Sequence, residues 1–203
     1  MKLKPYKPEN ITCNSGGAEG SDYYWGLFAQ IYGMTINAFS YKTKKHKGPH
    51  KVEISEEDYE EGILKVKKAN KSLKRKGIDK YMNLLSRNWA QVKYSEEIFA
   101  IGNIVRKGDI SKSGFKVTSD NETIDGGTGY AVQMAIDAEK TVYVFNLTDN
   151  IWYKWSYIID KFVRINDPLI LCKNFAGIGT REITDTGKQA IENVFLNTFK
   201  KLA

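Results

Sequence analysis

This 203-residue sequence has only two cysteines, four prolines and two histidines. No apolar run approaches the ~20 residues that cross a bilayer. Each scarcity argues against a class of protein. Cys13 and Cys172 stand far apart, without CxxC spacing and with no histidine cluster beside them. That argues against a disulfide framework and against structural zinc, and predicts two buried, reduced thiols in or beside strands. His46 and His50 are four apart, but Gly48 and Pro49 between them break the helix that would present both to one ion, so no metal site is expected. The polar N-terminus (Lys2, Lys4, Lys7, Glu9) lacks the apolar core of a signal peptide. With 41% hydrophobic and 12% aromatic residues, the composition is that of an ordinary globular chain, long enough for one well-buried domain and short for two. A cytoplasmic chain that spans no membrane is expected.

The formal charge of +7 is concentrated. Lys65 to Lys80 holds eight basic residues and one acid, whereas Val52 to Glu61 just upstream holds six acids and no base. A helix opening at the N-cap Ser55, with Asp58 three residues on as a capping box, would carry acids in its first turns and lysines in its last, matching its dipole. No aromatic residue interleaves the basic stretch, as single-strand binders require, so nucleic acid is not the expected partner.

Strand-like and helix-like periods alternate along the chain. Strands are predicted over 11–14, 34–39, 97–102 and 141–147, and helices over 23–32, 55–73, 81–92, 130–138 and 184–201. Residues 115–118 and 122–124 flank the turn-rich Ser119-Asp120-Asn121 like a small hairpin. The aromatic segment from Trp152 to Phe162 suggests an edge hairpin, and Leu169 to Leu171 reads as the start of a last core strand. The order implies an α/β fold, a doubly wound and mostly parallel sheet with helices on both faces, the segment 42–92 forming a charged helical insertion. There is no internal repeat. Ligands of such sheets bind outside the carboxyl ends of the strands.

Three glycine-bearing stretches meet that rule. They are Ser15-Gly16-Gly17-Ala18-Glu19-Gly20-Ser21-Asp22, Asp125-Gly126-Gly127-Thr128-Gly129-Tyr130, and Gly177-Ile178-Gly179-Thr180-Arg181. Glycine admits positive φ and close approach to main-chain N–H groups, and a helix that follows offers free N–H groups and a partial positive charge; both suit phosphate. Neither the dinucleotide fingerprint nor the phosphate loop ending in Gly-Lys-Ser/Thr is present. Arg87 and Arg181 are candidate phosphate ligands, and Asn88 and Gln91 candidate readers of a base or ribose. The basic loop with His46, Lys47 and His50 is a candidate lid.

These three stretches resemble the signature loops of the SLOG superfamily, Rossmann-like domains that include LOG-type phosphoribohydrolases, DprA-type and YpsA-like proteins. The resemblance implies a single Rossmann-like domain over 1–203 with a pocket for a nucleotide or nucleotide-derived molecule, such as an ADP-ribose-like or cyclic-nucleotide signal in defence or anti-defence signalling. It implies no cofactor and a homo-oligomer, dimer or tetramer. It also supplies a test, because LOG-type enzymes carry a glutamate after the second glycine turn where this chain has Gln133. An amide neither transfers a proton near neutral pH nor stabilises an oxocarbenium-like centre. A binder without catalysis, sequestering or sensing its ligand, is therefore expected. Tyr130 would add an aromatic face for a base or ribose. The alternatives are an N-glycosidase or phosphohydrolase using Glu19, Asp22 or Asp125, and a DprA-type single-strand binder.

Overall fold

The computed structural model describes residues 6–42 and 50–199. In chain order the strands are β1 (Thr12–Ser15), β2 (Thr35–Ser40), β3 (Lys51–Glu53), β4 (Glu97–Gly102), β5 (Ile104–Val105), β6 (Thr123–Ile124), β7 (Thr141–Asn146), β8 (Ile151–Ser156), β9 (Lys161–Arg164) and β10 (Asn174–Gly179). The helices are α1 (Ser21–Ile31), α2 (Glu56–Leu73), α3 (Met82–Lys93), α4 (Thr128–Asp137) and α5 (Asp185–Phe199). Eight strands form one sheet in the order β3-β2-β1-β10-β4-β7-β8-β9, parallel from β3 to β7 and antiparallel over β8 and β9. This is a Rossmann-like α/β fold.

Side chains alternate across each strand, so the near-continuous apolar runs of the inner strands feed two cores. Ile98, Ala100, Val142, Val144, Ala176 and Ile178 face one side, against Val66 and Leu73 of α2, Leu85 and Trp89 of α3, and Ala131 and Met134 of α4. Phe99, Ile101, Phe145 and Phe175 face the other, against Trp25 and Ala29 of α1 and Ile191 and Phe195 of α5. The segment read as a charged insertion thus includes two of the three helices that build one of these layers, α2 and α3. Cys13 and Cys172 are buried free thiols, and burial pushes both up in pKa.

Two predicted elements differ. Thr123–Ile124 pairs antiparallel with Ile104–Val105, not with 115–118, where Lys116 makes only an isolated bridge to Ile110. The last core strand starts at Asn174, leaving 169–171 irregular although Ile170 is fully buried, because burial by α5 gave those residues an apolar character that pairing did not require. The aromatic segment is the expected edge hairpin, β8 and β9. Its outer strand has an N–H, that of Phe162, covered by the Glu122 carboxylate at 3.0 Å, which blunts an edge otherwise open to pairing.

Ser55 caps α2 as expected, its Oγ accepting the Asp58 N–H at 3.1 Å. The Asp58 carboxylate, however, takes Lys93 Nζ at 2.8 Å and the Tyr94 hydroxyl at 2.9 Å, and Glu61 takes the same ammonium at 2.8 Å. Burial opposes ionisation of Asp58, but the hydrogen bonds from Lys93 and Tyr94 outweigh it and hold the carboxyl below its ordinary value; Lys93 does the same to Glu61. Carboxyls lowered in the folded state bind fewer protons than in the unfolded chain, so the stability they contribute is present above their ordinary values near pH 4 and is lost as pH falls through the lower, folded ones. Lys93→Met is expected to lower the melting temperature at neutral pH and to flatten its fall below about pH 4. Melting curves at closely spaced pH values check this, and parallel profiles for the two proteins would contradict it.

Candidate functional site

Strand winding reverses at β10. The β1 crossover runs through α1 on one face to β2, while the β4 crossover runs through α4 on the opposite face to β7. The two connections diverge above the carboxyl end of β10, and such a switch point opens a crevice. The first two glycine turns lie on either side of it.

The first turn is closely packed. Gly20, at φ +94°, has no room for a side chain, since a Cβ there would fall within 2.6 Å of the Thr180 carbonyl oxygen and against the Arg181 backbone. The Ser21 N–H and Oγ both donate to that carbonyl, at 3.0 and 2.8 Å. Ser15 Oγ donates to the Asp22 carbonyl at 2.7 Å and accepts from the Gly17 N–H at 3.5 Å. Gly16 and Gly17 are buried and Ala18 half-buried.

Beneath this turn lies an ion pair that sequence spacing does not disclose. Arg87, from the middle of α3, sits 3.6 Å from the Asp22 carboxylate; the two residues are only 5% and 7% exposed. A Cβ on Gly16 would overlap both groups, so glycine there is the condition for their approach. Asp22 Oδ1 accepts the Gly179 N–H at 3.0 Å. Burial pushes the Asp22 carboxyl up and the Arg87 guanidinium down, each opposed by the other's charge. Arg87 Nη1 donates to Gln91 Oε1 at 2.9 Å. Arg87 therefore faces the underside of the turn, and Asn88 and Gln91 are buried beside it.

The third stretch is not a loop up to Thr180. Gly177 and Gly179 belong to β10, where a Cβ would strike Trp25 and Ser21 respectively, so these glycines let α1 close onto the sheet. Thr180 is half-buried and Arg181, just beyond the end of β10, is exposed.

The second turn presents Gly126 and Gly127 to solvent, with Thr128, Gly129 and Tyr130 already in α4. Arg75 anchors it from behind, donating to the carbonyls of Ile124 and Gly126. Tyr130 does not offer its ring to the crevice. It is 3% exposed, lies in the core, and donates its hydroxyl to Asn70 Oδ1 at 2.7 Å. Gln133 Nε2 donates to Asp137 Oδ1 at 2.8 Å. Asp125 is engaged through both oxygens, by the N–H groups of Gly126 and Lys112, each at 2.7 Å.

Beside this turn, at the carboxyl ends of β4 and β7, is a cleft of about 540 Å³ whose walls include Asn103, Arg106, Lys112, Asp125, Asn146 and Tyr153. Asn146 Oδ1 accepts the Ile104 N–H at 3.0 Å and Asn103 Oδ1 the Thr148 hydroxyl at 3.3 Å, which leaves the amide NH2 of each as the donor at the cleft. Its outer wall is the excursion between β4 and α4, and nothing in that segment's periodicity marks it as a wall. Lys112 Nζ reaches Glu182 at 3.1 Å and so ties the excursion to the segment after β10.

His50 is exposed at φ +56°, and His46 and Lys47 lie outside the described residues. Among the described residues there is no group of three or more histidine, cysteine or acidic side chains suited to a metal ion, and no helix long and apolar enough to cross a membrane. No protein-family model, no curated protein and no solved structure matches the chain.

Proposed function

We propose that this chain binds a nucleotide-derived anion, of the ADP-ribose-like or cyclic-nucleotide class, across the crevice at the end of β10, and retains it without cleaving it. It acts in this reading as a cytoplasmic sequestering or sensing protein of the SLOG kind, assembled as a homo-oligomer. The observation that carries the reading is the pair of glycine turns flanking the point where strand winding reverses, each leading into a helix. Phosphate is matched by the exposed turn at Gly126–Gly127 with the first turn of α4, and by Arg181 across the crevice. The 540 Å³ cleft is of a size that holds a nucleoside, and its amide donors and the Tyr153 ring suit an uncharged polar group. Retention without cleavage is supported by the engagement of nearby carboxylates: Asp22 is tied to Arg87, and Asp125 to two backbone N–H groups, leaving neither poised as a general acid or base.

Mass spectrometry of what heated protein releases, followed by calorimetry with ADP-ribose derivatives and cyclic nucleotides, tests the reading. The expected result is saturable binding with the ligand recovered intact. Empty protein with a silent panel would remove the reading, and release of free base or phosphate would replace it with hydrolysis. Arg181→Ala is expected to weaken binding about tenfold, one charge-assisted contact, with an unchanged melting temperature because the side chain is exposed.

A further inference from the structure

The Asp22 carboxylate is bound as a ligand anion would be. The Gly179 N–H at the end of β10 points at it at 3.0 Å, Gly16 just beyond the neighbouring β1 packs against it, and a guanidinium flanks it. That donor set is the composition of a phosphate clamp. A carboxylate does not fill it. The Arg87–Asp22 separation of 3.6 Å is too long for a charge-assisted hydrogen bond, which needs about 2.7–2.9 Å. Gln91, bound to Arg87 through Oε1 and only 1% exposed, has its buried Nε2 without a partner among the described residues. The long approach of Arg87 and the unpartnered Gln91 Nε2 leave donors that Asp22 does not satisfy, and a phosphate, with more oxygens, would meet them.

We infer that Asp22 is an internal competitor for the anion site: its carboxylate holds the donors that a ligand phosphate takes, and binding exchanges one anion for the other at Arg87. The inference rests on the reading of the crevice as a phosphate site and names how that site is kept closed. It makes a prediction opposite in sign to that for a merely loop-positioning residue. Removing the charge of Asp22 strengthens anion binding instead of abolishing it.

The test uses inorganic phosphate and pyrophosphate at constant ionic strength, with the full chain. Asp22→Asn is expected to bind either anion at least about tenfold more tightly than the wild type by calorimetry, the equivalent of one charge-assisted contact, and to gain a phosphate-dependent rise in melting temperature. Asp22→Asn with Arg87→Gln should lose that gain. Equal responses of wild type and Asp22→Asn, or a gain that persists without Arg87, would overturn the inference. A measurement on the wild type covers the case in which Asp22→Asn does not fold. The Gly16 and Gly179 amide resonances should shift on titration with pyrophosphate, and their constancy up to saturating pyrophosphate would overturn it. Failures of the two proposals are distinguishable. Nucleotide binding that leaves both amides unmoved keeps the functional reading and discards the exchange, whereas phosphate capture by Asp22→Asn in a chain that binds no nucleotide does the reverse.

Discussion

Arg87→Met is expected to destabilise the fold by about 3–5 kcal/mol, the usual cost of stripping one partner from a buried ion pair. The substitution keeps most of the apolar stem within α3 but leaves the Asp22 carboxylate beneath the first glycine turn with no ion-pair partner and the Gly179 N–H to stabilise it. The cost should fall sharply in the background of Asp22→Asn, because a neutral amide has no charge left to compensate. Chemical denaturation of the wild type, the two single variants and the double variant gives the coupling directly. A coupling near zero would mean that the two groups are neighbours without energetic dependence. The first turn would then owe its shape to backbone hydrogen bonding alone.

Trp25→Ala should cost a similar amount, about 3–5 kcal/mol, for a different reason. Trp25 is fully buried in α1, with its ring centroid 5.8 Å from that of Phe99, 6.0 Å from Phe175 and 5.9 Å from Phe195. Its removal opens a cavity among aromatic groups that cannot collapse, since Phe99 and Phe175 are fixed on adjacent strands. Gly177 supplies the control. A methyl group added there would strike the Trp25 side chain, so Gly177→Ala is expected to destabilise the wild type and to cost less in Trp25→Ala, where the ring contacts are gone and only the clash with the Cβ of residue 25, at 2.5 Å, remains. Additive effects in a denaturation series would show that α1 and β10 do not meet through this contact.

The glycine-rich stretches illustrate how far the residues speak for themselves. That Gly16, Gly20, Gly177 and Gly179 matter was legible, because clustered glycines between apolar runs mark places where chain or ligand comes close. What comes close was not. At Gly177 and Gly179 it is α1, at Gly16 the Asp22–Arg87 pair, and at Gly20 the segment after β10. Arg75 was hidden for a related reason. Within a run of lysines it reads as one more solvated charge, yet its guanidinium reaches the Ile124 and Gly126 carbonyls and fixes the second turn. Tyr130 was misplaced because helical phase, not residue type, decides which way a ring at the start of α4 points.

Local information in the sequence determined the alternation of strands and helices, the capped and dipole-matched α2, the edge hairpin, and hence the α/β class with glycine turns leading from strands into helices. These follow from period, capping and turn chemistry, which act over a few residues. Only the tertiary structure decided that β10, nearly last in the chain, inserts between β1 and β4 and places the reversal of strand winding there. It alone decided that Asp22 and Arg87, 65 residues apart in the sequence, share a buried site. Both depend on which surfaces pack together, and the free energy of that packing is a property of the whole sheet and its two helical layers, not of any segment within it.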